Sequence, residues 1–147
     1  MLRQATVDDI PAIIALARPT FEAFVPFGGS EEMVSHTLAG LAQFGGYVRV
    51  SEVDGQIGGF LAGLVATFKP WAADKCAVEV LFYVAPEHRK GRLAVTMLKD
   101  FIEWGRQKDC RLVAVTANAM AGGDRVGKLY ERMGFAPVET AYLRRID

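Results

Sequence analysis

Apolar residues recur at helical spacing over Ile10, Ile13, Ile14 and Ala17, which predicts a helix that buries one face. Thr6-Val7-Asp8-Asp9 stands before it in capping-box form, with acidic side chains where a helix N-terminus favours them. The helix is therefore expected to run to about Ala17, with Pro11 in its first turn, after a short strand over Leu2–Ala5. Phe21 to Gly29 is aromatic without a period and reads as a loop or broken helix. Ser30 caps a second helix through Met33, Val34, Leu38 and Leu41, ending near Gly45-Gly46. Tyr47–Val53 and Gln56–Phe68 flank Asp54-Gly55 as two strands of a hairpin, and Ala77–Val84 is another strand. The strongest helical stripe is Leu93/Ala94, Met97/Leu98, Phe101/Ile102 and Gly105. Leu112–Thr116 is a wholly apolar strand of the kind covered on both faces. Val126, Leu129/Tyr130 and Met133 mark a last helix, with Asp124 as its N-cap and Gly134 as its stop. Phe135–Ile146 is expected to close the chain as one strand or two.

This order predicts an α/β fold with one mixed sheet. The hairpins are antiparallel, and the strand–helix–strand unit from 77 to 116 is a right-handed crossover giving a parallel pair. At 147 residues, 51% hydrophobic and 23% charged, residues 1–147 form one ordinary globular domain. Seventeen Lys and Arg balance seventeen Asp and Glu, so no net field attracts nucleic acid or an anionic membrane. Cys76 and Cys110 lack CxxC or CxxH spacing, and the two histidines lie far apart at 36 and 88. No metal site or disulfide framework is therefore expected. The N-terminus shows no apolar leader, and Phe60–Ala66 is far too short to span a membrane. A cytoplasmic protein with reduced thiols is the expectation.

The chemistry concentrates between Val78 and Ala94. An apolar strand turns through the basic, glycine-containing segment Arg89-Lys90-Gly91-Arg92 into a long helix. Free N–H groups and the positive end of the helix dipole then face an anion, with a pyrophosphate as the natural ligand. The same residues alone would read as a solvated turn; the strand before and the periodic helix after favour phosphate. Glu79 interrupts the apolar strand, and a carboxylate buried there needs a partner. It is either a base at a cleft or a solvent-facing or ion-paired strand residue.

Val84-Ala85-Pro86-Glu87-His88-Arg89 followed by Lys90-Gly91-Arg92-Leu93-Ala94 resembles the coenzyme A motif of GNAT (GCN5-related N-acetyltransferase) enzymes, Arg/Gln-x-x-Gly-x-Gly/Ala. Arg89 and Ala94 match it. Arg92 replaces the middle glycine, and Gly91 lies one place earlier. Leu129-Tyr130-Glu131-Arg132-Met133-Gly134-Phe135 is similar to a second segment of that family, Leu-Tyr-Glu-x-x-Gly-Phe. An asparagine often found seven residues before the tyrosine is absent, since Gly123 holds that place, and Asn118 lies upstream of a long loop.

The resemblance implies a GNAT-like, mostly antiparallel sheet with helices on both faces, acetyl-CoA as co-substrate, and acetyl transfer to a small-molecule or peptide amine by direct attack. It implies coenzyme A contacts at Phe82, Tyr83, Val84, Arg89, Lys90, Gly91, Arg92, Leu93 and Ala94. Pantetheine would pair with the open edge of the 77–84 strand. Tyr130 would be the general acid for the thiolate and Glu79 the base. A homodimer is compatible with it, since dimers are common among similar proteins. The fold also admits a non-catalytic acyl-CoA-binding module. Tyr130 as a core ring with a wet hydroxyl is the plain alternative, as is partial core for Phe21, Phe24 and Phe27, which otherwise wall the acceptor site.

Overall fold

Strand β1 (Leu2–Gln4) leads through a 3-10 turn, Val7–Asp9, into helix α1 (Ile10–Ala23) in the computed structural model, which describes residues 1–119 and 122–146. The Asp9 carboxylate accepts the Thr6 N–H at 2.7 Å and meets the Arg3 guanidinium at 2.8 Å, tying the start of α1 to β1. The helix continues past Ala17 through Pro19. Its buried stripe Ile10, Ile13, Ala17, Phe21 keeps the helical period. Pro19 and Ala15, the residue whose carbonyl it deprives of a partner, lie on the exposed face, where an unpaired carbonyl costs less than it would in the core. A 3-10 turn at Val25–Phe27 ends in left-handed Gly28, and the Ser30 hydroxyl caps helix α2 (Glu31–Gln43) by accepting the Met33 N–H.

Strands β2 (Tyr47–Val53), β3 (Gln56–Ala66) and β4 (Cys76–Val84) follow, then helix α3 (Leu93–Gln107), strand β5 (Leu112–Ala114) and helix α4 (Gly123–Arg132). The sheet runs in chain order from β1 to β5. Its first three pairings are antiparallel, and β4–β5 is parallel over Cys76–Val78 and Leu112–Ala114. Against one face, α1 and α2 pack on Val48, Val50, Phe60 and Ala62. Against the other, α3 and α4 pack Met97, Leu98, Phe101 and Tyr130 on Tyr47, Leu61, Ala77 and Val84. Gly105 lets α3 approach closely, since a Cβ there would stand 3.1 Å from that of Ala77.

Other expectations differ as well. No strand forms over 135–146; these residues are mostly exposed, tethered where Glu139 meets Lys69 at 2.7 Å and Arg145 donates to the Pro26 carbonyl. Apolar residues make a strand only where a ladder and a packed face await them, and this tail has neither. Asp124 is not the N-cap of α4: the cap is Gly122, at φ 76°, and Asp124 lies within the first turn. There it still complements the helix dipole. The 119–123 loop singled out by the sequence includes Met120 and Ala121, which lie outside the described residues. Last, β3 stops at Ala66 and β5 at Ala114, short of Phe68 and Thr116. Among the described residues, no helix is long and apolar enough to cross a membrane.

Candidate active site

One extra residue in β4 shapes the site. Ala62 faces Leu81 across the β3–β4 ladder while Gly63 faces Glu79, so Val80 has no partner and forms a β-bulge. Side chains alternate between sheet faces, and the bulge reverses that alternation. Ala77 packs on the α3–α4 side, and Glu79, two residues on, points the same way. Past the bulge it is Phe82 and Val84 that face α3 and α4, while Leu81 and Tyr83 face α1 and α2. Glycine at 63 is required by contact: a Cβ would come within 2.7 Å of both the Phe101 ring and the Val78 carbonyl.

The bulge sits where β4 and β5 part company. Their parallel pairing ends at Val78 and Ala114, so Glu79–Val84 have β3 on one side and no strand on the other among the described residues. Bulges bend the strand that carries them, and this one falls where β4 loses its β5 partner. Two residues past the end of that pairing, the Thr116 N–H donates to Glu79 Oε2 at 3.0 Å. From α4, the Tyr130 hydroxyl donates to the Thr116 carbonyl, also at 3.0 Å. The two proposed acid–base residues, from different elements, thus meet on the main chain of one residue.

Neither group is wet. Glu79 is 9% exposed and Tyr130 6%. Burial disfavours the charged carboxylate and pushes Glu79 up to about 7, partly offset by hydrogen bonds from the Thr116 N–H and hydroxyl. Burial, and then the negative charge of Glu79, hold the Tyr130 phenol well above the ordinary tyrosine range. Tyr130 is fixed from behind by Phe135, whose ring lies 5.7 Å away and whose N–H donates to the Tyr130 carbonyl. Gly134 makes that turn possible at φ 93°.

The basic turn follows a 3-10 turn at Pro86–His88. Arg92 occupies the N-cap of α3 without a side-chain cap bond, and first-turn amides have no acceptor within a helix. Leu93 and Ala94 therefore present main-chain donors at the positive end of the dipole. Lys90, Gly91 and Arg92 are exposed. Arg89 is exposed as well but is also anchored. Its Nε donates to the Val84 carbonyl at 2.8 Å and its guanidinium lies 5.1 Å from the centre of the Tyr83 ring, so it braces the turn against β4. His88 packs against the β2–β3 hairpin, close enough that a Cβ on Gly58 would meet its ring at 2.7 Å. Among the described residues, no three His, Cys, Asp or Glu side chains gather as metal ligands would.

Thr116 escaped the sequence reading, which made it only the last residue of an apolar strand. Its role is carried by main-chain atoms, for which side-chain patterns hold no signal.

A model of the acetyltransferase (GNAT) family matches residues 10–135. No curated protein matches the chain in sequence. Solved structures share its fold. Aminoglycoside N-acetyltransferase AAC(6')-Iy in complex with CoA superposes with a TM-score of 0.80 at 16% identity, covering 99% of this chain and 93% of that one. Ribosomal-protein-alanine N-acetyltransferase from Brucella melitensis biovar Abortus 2308 gives 0.73 at 16%, over 99% of both chains. A protein of Clostridium acetobutylicum described as a predicted acetyltransferase, with acetyl-CoA, gives 0.76 at 14%, over 99% and 95%.

Proposed function

The chain belongs to the GNAT acetyltransferase family, and on that premise we propose that it moves an acetyl group from acetyl-CoA to a primary amine of a small molecule or peptide by direct attack, in the cytoplasm. The observation that carries this reading is the meeting of Glu79 and Tyr130 at Thr116, in the mouth where β4 and β5 diverge. The phosphates of coenzyme A rest on the Arg89–Ala94 turn, and pantetheine lies along the open edge of Phe82, Tyr83 and Val84. A main-chain N–H of that edge stabilises the developing oxyanion.

The neutral amine nitrogen attacks the thioester carbonyl carbon. As the C–N bond forms, Glu79 takes a proton from the nitrogen, directly or through water. As the C–S bond breaks, the Tyr130 hydroxyl leaves the Thr116 carbonyl and protonates the thiolate. The proton on Glu79 then returns to Tyr130 through solvent, restoring both groups. Support for amine acceptors comes from the fold neighbours named for aminoglycosides and for ribosomal-protein alanine.

Thiol release from acetyl-CoA, measured over a panel including an aminoglycoside and an alanine-terminated peptide, tests the proposal. Turnover with at least one amine is expected. Tyr130→Phe should lower its rate by ~10²–10⁴, the range for lost general-acid help, with coenzyme A affinity little changed. Tight coenzyme A binding without turnover of any amine would instead identify an acyl-CoA-binding module.

A further inference from the structure

Thr116 lies two residues beyond the last paired residue of β5, where a continued ladder would send its N–H to a main-chain carbonyl of β4. It goes to the side chain of Glu79 instead, at 3.0 Å. The Thr116 hydroxyl stands beside the same carboxyl and favours its charged form, less than the N–H does. In the next peptide, the Thr116 carbonyl receives the Tyr130 hydroxyl at 3.0 Å. One residue therefore supplies two donors to the carboxylate and one acceptor to the phenol, and both partners are buried while Thr116 itself is exposed.

A glutamate has three side-chain torsions, and the hydrogen bond from Thr116 limits the orientations open to its carboxylate. Two donors from one residue fix both its direction and its distance from the phenol. We propose that Thr116 is the positioning residue of this site: through its N–H and hydroxyl it aims the Glu79 carboxylate, and through its carbonyl it holds the Tyr130 hydroxyl at a set place across the cleft. The proposal rests on the acid–base reading of Glu79 and Tyr130 given above. Among the described residues, the groups acting on Glu79 are the N–H and hydroxyl of Thr116, two residues past β5, and Glu79 acts in turn on the Tyr130 phenol from α4.

The hydroxyl is the part that substitution can remove. Thr116→Val is nearly isosteric and lies at an exposed position, and Thr116→Ser returns the hydroxyl. Two measurements on the full chain separate the possibilities. The first needs no acceptor: a carbon-13 NMR titration of the Glu79 carboxyl. Its midpoint should move upward in Thr116→Val, because a bond that favours the charged form is gone, and should move back in Thr116→Ser. The second is steady-state transfer to whichever amine of the panel turns over. There Thr116→Val should lower kcat about tenfold, the scale of one hydrogen bond to a charged group, with the KM for acetyl-CoA unchanged. Thr116→Ser should restore most of that loss, and in a Glu79→Gln background Thr116→Val should add little.

A Glu79 titration unmoved by Thr116→Val overturns the proposal, and so does a kcat loss that is the same with Gln at 79. If the titration moves as expected but Glu79→Gln transfers acetyl at the wild-type rate, the hold of Thr116 on Glu79 stands and the general-base reading fails.

Discussion

Glu79 makes the clearest residue-scale demand on the fold. An ordinary glutamate titrates near 4.5, whereas burial pushes this one up to about 7. Between those values the folded chain keeps a proton that the unfolded chain has released. Stability from this group is therefore greatest at low pH and is lost as pH rises through that window. The ceiling on the loss is about 3 kcal/mol, at 1.36 kcal/mol for each tenfold change in proton affinity. Glu79→Gln cannot ionise, so its thermal midpoint should fall less than wild type between pH 5 and pH 8, and should exceed it at pH 8. Parallel midpoints for the two proteins across that range would place the carboxyl in water. The same charge bears on catalysis under the proposed mechanism. Tyr130 stays protonated at neutral pH, and its acidity is suppressed while Glu79 is negative. Once Glu79 accepts the amine proton that suppression is lifted, so the phenol becomes a better acid as the thiolate departs.

At the scale of elements, the turn from β4 into α3 offers a clean probe. A Cβ on Gly91 would meet only the His88 carbonyl, at 3.7 Å, so the protein itself has room for valine there. Gly91→Val should fold with a thermal midpoint within a few degrees of wild type. Calorimetry should show coenzyme A affinity lowered about tenfold or more, or 1.4 kcal/mol upward; unchanged affinity would move the phosphates elsewhere. This turn was legible in the sequence because a strand, a basic loop and a periodic helix each leave local patterns. The Tyr47–Val53 strand, the Asp54-Gly55 turn and the Gly134 stop were legible for the same reason. The β-bulge was not. Val78–Val84 is apolar on both faces apart from Glu79, and a strand without alternation cannot display a break in it. Nor was the end of α1 legible, because the period through Phe21 was masked by Pro19 and the surrounding aromatics. The closing strand at 135–146 failed for the opposite reason: the pattern was present and its partner was not.

For the whole molecule, β3 is the shared wall. Phe60 and Ala62 belong to the core under α1 and α2, and Leu61 to the core under α3 and α4. Neither core can come apart without stripping the strand that supports the other. One cooperative transition is therefore expected, with far-ultraviolet dichroism and the fluorescence of Trp104 changing together. Leu61→Ala should lower stability by about 2–5 kcal/mol, as for other fully buried leucines. It should do so without splitting the transition; two separated midpoints would show that the cores unfold independently. The bulge at Val80 carries a further consequence for how this strand can change over generations. Because Glu79 faces Gly63 and Leu81 faces Ala62, loss of the single codon for Val80 would close the bulge and leave Leu81, Phe82, Tyr83 and Val84 on the faces they now occupy. The lineage can therefore shed this one residue without exchanging the two faces of the cofactor-side strand; what it would lose is the local bend that a bulge imposes.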